Sequence, residues 1–124
     1  MRVLLVHPPQ GHLYRHWPAP VFPSPGLASL AAALRARGHE VIWRDLGAAA
    51  RPAEGLRETV RQSRPGLAGI SCVTPTVEQG WQLAALLRRE HPGLPLVLGG
   101  VHPTILPEES LAQPGVDWVL RGEA

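Results

Sequence analysis

The stretch LAGISCVTPTVEQGWQLAALLRREHPGLPLVLGG, residues 67–100, decides the fold because it contains a strand, a helix and a second strand in succession. Its segments 67–71 and 95–99 are almost continuously apolar, as are strands buried on both faces of a parallel sheet. Thr76 and Gln79 stand at capping-box spacing and predict a helix start between them. The inner face of that helix is predicted to carry Val77, Trp81, Ala84 and Leu87. The stretch therefore predicts two parallel strands joined by a helix, which ends at the HPG of residues 91–93.

The same alternation of strands and helices extends in both directions along the chain. Further strands are predicted at 2–6, 40–44 and 116–120. A first helix begins with Ser24 as N-cap and Pro25 at its first position, and it ends at Gly38. Two more helices are predicted, one near 53–63 and a short one at about 107–113.

Five parallel strands in one domain predict an α/β fold of the flavodoxin-like, or Rossmann-like, type. The expected strand order is 2-1-3-4-5, with helices on both faces of the sheet. In such sheets ligands bind beyond the carboxyl ends of the strands, near the switch point between strands 1 and 3. The loops that reach this edge are 7–24, 71–76, 99–107 and 121–124.

Composition narrows the classes of function. The 124 residues fit a single domain, and the net charge of +2 comes from scattered Arg residues with no Lys. No basic stripe with interleaved aromatic residues is present, so nucleic acid is not an expected partner. Apolar runs are far shorter than the roughly 20 residues that cross a bilayer, and no secretory signal precedes the first strand, so a cytoplasmic protein is expected. Cys72 is the one cysteine, which excludes an internal disulfide and a multi-cysteine metal or iron–sulfur site.

The sequence lacks the motifs with which proteins of this fold bind several of their common ligands. A receiver domain needs acidic residues after strand 1, an Asp after strand 3 and a Lys after strand 5. Those places hold His7, the segment 71–74 and Arg121. The first loop, HPPQGHLYRHWPAPVFPSP, contains neither the G-x-G-x-x-G of a dinucleotide site nor the Ser/Thr-rich phosphate loop of a flavodoxin.

Three groups of residues near the binding edge remain open to more than one interpretation. The first loop contains three histidines, His7, His12 and His16. Each is either a solvated loop residue or a functional one, that is, a metal ligand or an acid/base group. Ser71 and Thr74 either bond a polar ligand or cap the next helix, whereas Cys72 is expected to be a small buried residue. Gly99 and Gly100 indicate a positive φ, the close approach of another group, or both.

Across nearly its whole length the chain resembles the N-terminal cobalamin-binding domain of cobalamin-dependent radical S-adenosylmethionine enzymes. The segments that carry the resemblance are MRVLLVHPP, GLASLAAALRARGHEV, GISCVTPT, LVLGGVHPTILPEE and GVDWVLRGE. The resemblance implies that the corrin ring lies over the carboxyl edge of the sheet and that the nucleotide tail of cobalamin runs beside the sheet, on Gly99 and Gly100. It implies no catalytic residue and no metal ligand, and the implied cofactor-binding residues are His7, Pro8, Pro9, Ser71, Thr74, Gly99, Gly100, His102, Pro103, Thr104, Arg121, Gly122 and Glu123.

Two family motifs are missing from the sequence. The D-x-H-x-x-G of cobalamin-dependent methyltransferases and mutases, whose His binds cobalt, is absent from the first loop. The C-x-x-x-C-x-x-C that holds the [4Fe-4S] cluster of a radical S-adenosylmethionine barrel is absent as well. Residues 1–124 are therefore expected to form one cobalamin-binding domain, with the barrel, its cluster and S-adenosylmethionine expected in cis after residue 124. Such a parent enzyme would carry out methyl transfer or a related radical reaction.

Two alternatives stay open. PPQGHLYRHWPAP followed by LAAALRARGHEV also resembles the amino-terminal half of a two-domain glycosyltransferase, in which the Gly-His marks a catalytic base. That interpretation requires a helix soon after His12, whereas the prolines at 18–25 predict a start at about residue 25. The second alternative is a binding module that has lost its cofactor.

Overall fold

The computed structural model describes residues 1–10 and 24–122, and its strands form one parallel sheet in the order β2-β1-β3-β4-β5. The strands are β1 (Arg2–His7), β2 (Glu40–Asp45), β3 (Leu67–Ser71), β4 (Leu96–Gly99) and β5 (Trp118–Val119). The helices are α1 (Pro25–Ala36), α2 (Pro52–Ser63), α3 (Val77–Glu90), α4 (Val101–Ile105) and α5 (Pro107–Leu111). The predicted fold class and strand order are confirmed.

Alternate residues of the strands supply two cores, one on each face of the sheet. On the face covered by α1, Val3 and Leu5 of β1 pack with Leu27 and Ala31 of the helix. On the opposite face, the central strands pack against α2 and α3, and the fully buried side chains there include Leu4, Val6, Ala68, Leu96 and Leu98. The near-continuous apolar runs of β3 and β4 follow from this burial on both faces.

The start of α1 is the one predicted. The Ser24 hydroxyl accepts a hydrogen bond from the Leu27 amide at 3.4 Å, and Pro25 follows at the first helical position. The long segment between β1 and α1 thus ends where the prolines predict. No helix in the described part of the chain is long and apolar enough to cross a membrane.

The capping box predicted for α3 is wrong. Residues Thr74–Thr76 form a 3-10 turn that continues directly into the helix, and Thr76 makes no side-chain cap to α3. Its φ of −114° and ψ of 1° differ from the extended conformation that an N-cap residue usually adopts. The Thr76 hydroxyl instead accepts a hydrogen bond from the Val73 amide at 3.2 Å. The buried Oε1 of Gln79 has no hydrogen-bond partner among the described residues.

The segment after β4 also differs from its prediction. A stiff loop was expected over 99–107, but Val101–Ile105 forms a helical turn, α4, and α5 follows immediately at Pro107. The last strand is shorter than the predicted 116–120, because only Trp118 and Val119 pair with β4. The carboxyl edge of the sheet is therefore bordered on this side by two short helices.

Candidate ligand-binding site

A cavity of about 670 Å³ opens on the α1 face, at the carboxyl ends of β3 and β4. One wall is the amino-terminal half of α1, the floor is formed by β3 and β4, and the other wall is α4 with the end of β5. Its lining residues are Leu5, Pro25, Gly26, Leu27, Ser29, Leu30, Gly69, Ile70, Ser71, Val97, Gly99, Gly100, Val101, Thr104, Ile105, Leu120 and Gly122. The cavity lies at the edge of the sheet where the sequence predicts a ligand.

The floor of the cavity is bare because two strand residues on this face are glycines. A Cβ at Gly69 would lie 3.3 Å from Cδ2 of Leu5, and a Cβ at Gly99 would lie 3.7 Å from Cβ of Leu120. Neither position is blocked by backbone, so side chains there would occupy the floor itself. Gly69 was not among the predicted site residues, although a glycine within an apolar strand is a signal of close backbone approach.

Gly100 has a different role from Gly99. Its φ is 104°, and a Cβ would lie 2.5 Å from the Cys72 carbonyl oxygen and 2.8 Å from the Cys72 nitrogen. The neighbouring backbones are bonded there, since the Cys72 amide donates to the Gly99 carbonyl at 2.8 Å. Gly100 is thus needed for the strand-end backbones to meet, and the room above β4 comes from Gly99.

The polar character of the cavity is low. Among residues 1–10 and 24–122, none of the residues that line it is charged. Ser29 on the α1 wall and Ser71 on the floor both line it, and neither hydroxyl has a hydrogen-bond partner within the same ranges. The cavity suits an uncharged, mainly apolar group that takes a few hydrogen bonds.

His102 and Pro103 are buried behind the α4 wall and do not line the cavity. The His102 ring has Nδ1 3.0 Å from the Thr74 hydroxyl and Nε2 3.1 Å from Oε1 of Glu109. It also meets the Trp81 ring edge-on, with 6.2 Å between centroids. His102, Thr74 and Glu109 therefore hold α4 and α5 against the turn that follows β3.

Two of the segments that carry the family resemblance, LVLGGVHPTILPEE and GVDWVLRGE, come together at Thr104. Its hydroxyl donates to the Gly100 carbonyl at 2.7 Å and accepts from the Gly122 amide at 3.0 Å. The Arg121 Nε donates to the Thr104 carbonyl at 3.4 Å. Thr104 and Gly122 both line the cavity, whereas Arg121 is exposed at its side.

His7 lies at the end of β1, opposite Asp45 of β2. Its Nδ1 is 3.5 Å from Oδ1 of Asp45, and its Nε2 is 3.2 Å from Nε2 of Gln10. These contacts connect the ends of β1 and β2, beside buried Pro8 and half-buried Pro9. His12, His16 and Glu123 lie outside the described residues.

Cys72 is the small buried residue that was expected. Burial raises the pKa of its thiol to about 12, so the thiolate is not formed at neutral pH. Its Sγ packs against Gly80 of α3, where a Cβ would collide with it. In the described ranges, 1–10 and 24–122, no three side chains of His, Cys, Asp or Glu are grouped to hold a metal ion.

A family model described as "B12 binding domain" matches residues 13–124. The chain belongs to this B12-binding domain family. It is 29% identical over 129 aligned residues to the anaerobic magnesium-protoporphyrin IX monomethyl ester cyclase of Rubrivivax gelatinosus, covering 99% of this chain and 22% of that protein. It is 28% identical to an uncharacterized methyltransferase of Pyrococcus horikoshii, covering 99% of this chain and 27% of that protein. This B12-binding chain thus spans about a quarter of the length of these curated relatives.

Solved structures show the same fold. A cobalamin-binding protein from Desulfitobacterium hafniense superposes with a TM-score of 0.71 at 18% identity, covering 96% of this chain and 52% of that chain. A response regulator from Thermotoga maritima gives a TM-score of 0.62 at 15% identity, covering 98% and 85%. At such identities the likeness concerns the fold alone. The B12-binding chain carries His7 and Ser71 at the ends of β1 and β3, where receiver domains carry acidic residues.

Proposed function

We propose that this chain binds cobalamin, with the nucleotide tail of the cofactor in the cavity beside α1. The observation that carries the proposal is the glycine floor: at Gly69 and Gly99 a side chain would fill the space that a flat group needs. The lining that the structure describes is also uncharged, which suits the aromatic base of the tail, and the cavity is found in a member of the B12-binding family. The residues present therefore fit the cofactor.

Individual residues take different parts in this proposal. Ser71 and Ser29 supply hydroxyls to the tail, because neither is used within the described fold. Val101 and Ile105 are 57% and 67% exposed at the rim, and they offer apolar contact to the corrin ring. Thr74, His102 and Pro103 support the α4 wall from behind. His7, Pro8, Pro9, Arg121, Gly122 and Glu123 complete the proposed edge of the site.

Among the histidines that the structure describes, none is assigned to cobalt in this proposal. Both ring nitrogens of His7 already have polar neighbours, Asp45 on one side and Gln10 on the other. Cobalamin supplies the cobalt centre that carries or accepts a methyl group. The chain itself binds and orients it.

The proposed parent protein is a cobalamin-dependent radical S-adenosylmethionine enzyme. Support comes from the names of the relatives, a cyclase and a methyltransferase, and from the small share of their length that the chain covers. In such a parent, a barrel in cis holds the [4Fe-4S] cluster and S-adenosylmethionine. Methyl transfer or cyclisation is the proposed reaction class.

Titration of the chain with hydroxocobalamin, followed by absorbance and calorimetry, tests the binding proposal. We expect weak saturable binding with a spectrum that lacks a histidine–cobalt bond. Cobinamide, which lacks the nucleotide tail, is expected to bind more weakly still. Absence of saturation by hydroxocobalamin would favour a module that has lost its cofactor. Equal affinity for cobinamide would show that the cavity does not hold the tail.

The glycosyltransferase alternative requires a helix just after His12, a segment that lies outside the described residues. The family match over residues 13–124 instead assigns the chain to the B12-binding domain family.

A further inference from the structure

Thr104 joins the ligand cavity to the end of β5 by side-chain bonds in both directions. Its hydroxyl donates to the Gly100 carbonyl, at the end of the cavity floor, and accepts from the Gly122 amide, just beyond β5. Gly100, Thr104 and Gly122 all line the cavity. A group bound in the cavity would therefore touch every member of this hydrogen-bonded chain.

The segment that carries Thr104 has little stability of its own. The α4 helix has five residues, far fewer than an isolated helix needs. Its position depends on the buried His102, which contacts Thr74 and Glu109, and on the Thr104 hydroxyl, which accepts from the Gly122 amide.

The end of β5 is also weakly held. Beyond Val119, its backbone is fixed by the Leu120 amide, which donates to the Leu98 carbonyl at 2.8 Å, and then by the Gly122 bond to Thr104. Gly122 has a φ of 78°, and a Cβ there would meet nothing within 4 Å. The glycine therefore serves the turn, and Thr104 fixes the place where that turn lies against the cavity.

We propose that Thr104 is a positioning residue that couples occupation of the cavity to the path of the chain as it leaves β5. This rests on the proposed function, because the coupled ligand is cobalamin. A ligand that orders the α4 wall also orders residues 120–122 through Thr104. By linkage, the factor by which the bound ligand favours the ordered form of residues 120–122 is also the factor by which ordering these residues raises the affinity for the ligand. The coupling is a property of this site that fold and family membership do not assign.

Amide hydrogen exchange at residues 118–122 tests this coupling in three variants. Thr104→Val removes the hydroxyl and keeps the shape, and Thr104→Ser keeps the hydroxyl. Thr59→Val is the matched control, since the Thr59 hydroxyl makes the same kind of bond to the Gly55 carbonyl, 2.9 Å away in α2 and outside the cavity. Exchange is measured without ligand and with saturating hydroxocobalamin.

Without ligand, the Gly122 amide should exchange about 2- to 10-fold faster in Thr104→Val, the range for one net hydrogen bond. Thr104→Ser and Thr59→Val should match the wild type. With hydroxocobalamin, exchange at 120–122 should slow in the wild type, in Thr104→Ser and in Thr59→Val. It should slow clearly less in bound Thr104→Val, where only direct contact of the ligand with Leu120 and Gly122 remains. A purely structural hydroxyl would not change the response to ligand.

Three results would overturn the proposal in distinct ways. Unchanged Gly122 exchange in ligand-free Thr104→Val would show that the bond does not hold the turn. Equal slowing in bound Thr104→Val and wild type would show that the ligand does not act through Thr104. No binding by the wild type would overturn the proposed function together with the coupling, while the ligand-free comparison would still decide whether Thr104 holds the turn.

Discussion

Replacing Gly99 with Val places three carbon atoms on the floor of the cavity. The new Cβ would meet Leu120 Cβ at 3.7 Å and the Leu120 carbonyl oxygen at 3.8 Å, which are ordinary contacts. A glycine inside a strand costs about 0.5–1 kcal/mol relative to alanine, and β-branched residues favour strands, so we expect the free energy of unfolding to stay within about 1 kcal/mol of the wild type. The fold should therefore survive the change.

The same three carbon atoms should weaken cobalamin binding. Overpacking a well-filled apolar site costs about 1–3 kcal/mol, which corresponds to roughly a 5- to 150-fold loss of affinity. Cobinamide, without the tail, should bind Gly99→Val as it binds the wild type. The matched control is Gly93→Val, because a Cβ at Gly93 meets nothing within 4 Å and does not line the cavity.

Calorimetric titration with both corrinoids, beside urea unfolding of each variant, completes the experiment. Unchanged cobalamin affinity in a folded Gly99→Val protein would refute the assignment of the tail to this floor. If Gly99→Val lowered the affinities for cobalamin and cobinamide equally, the effect of the substitution would not depend on the nucleotide tail.

Four further outcomes follow from the packing. Gly100→Ala should lower the free energy of unfolding by about 1–3 kcal/mol in urea, because its Cβ would lie 2.5 Å from a Cys72 backbone atom and its φ is positive; a stability equal to wild type would contradict this. Gly80→Ala should destabilise despite a gain in helix propensity of about 1 kcal/mol, and Cys72→Ala should rescue it in a double-mutant cycle, whereas additive losses would show no contact. His102→Ala should cost about 1–3 kcal/mol, since Thr74 and Glu109 lose their partner; a neutral result would remove the support assigned to His102. Because burial raises the pKa of Cys72 from 9.0 to about 12, the unfolded chain loses the thiol proton first as pH rises. The free energy of unfolding should therefore be unaffected by this group below pH 9.0 and fall by up to about 1.4 kcal/mol per pH unit between 9.0 and about 12, and this fall should be absent in Cys72→Ala.

The sheet and the first helix could be predicted from the sequence because their signals are local. Apolar runs fix the strands, and Ser24 with Pro25 fixes the start of α1. The capping box at Thr76 failed because Pro75 and its neighbours form a 3-10 turn, which changes the backbone at the expected cap. The α4 turn was missed since five residues with an internal Pro103 give no helical period.

The cavity lies at the edge of the sheet for which the sequence predicts a ligand, but its detailed structure could be predicted only in part. Gly99 and Gly100 look equivalent in sequence, and they differ because only Gly100 meets the backbone of another strand end. That contact depends on the pairing of β3 with β4, which no local pattern contains. Gly69 was not predicted as a site residue for the same reason: it lies beside Val97 of β4, and it shares the floor with Gly99 only because Ser71, two residues further along β3, lies beside Gly99.

The burial of His102 affects how relatives of this chain should be sorted. The H-P-T-x-x-P-E-E signature bonds α4 and α5 to the turn after β3, so a descendant that no longer took up a corrinoid would still need it to fold. Retention of that signature therefore tracks ancestry. A larger residue at 69 would need only a small shift of the Leu5 side chain, and one at 99 would make ordinary contacts with Leu120, so the fold itself would do little to keep these residues small once the ligand was gone. Sequence surveys that separate relatives able to bind a corrinoid from relatives that have lost this ability should therefore rely on positions 69 and 99 before the H-P-T-x-x-P-E-E segment.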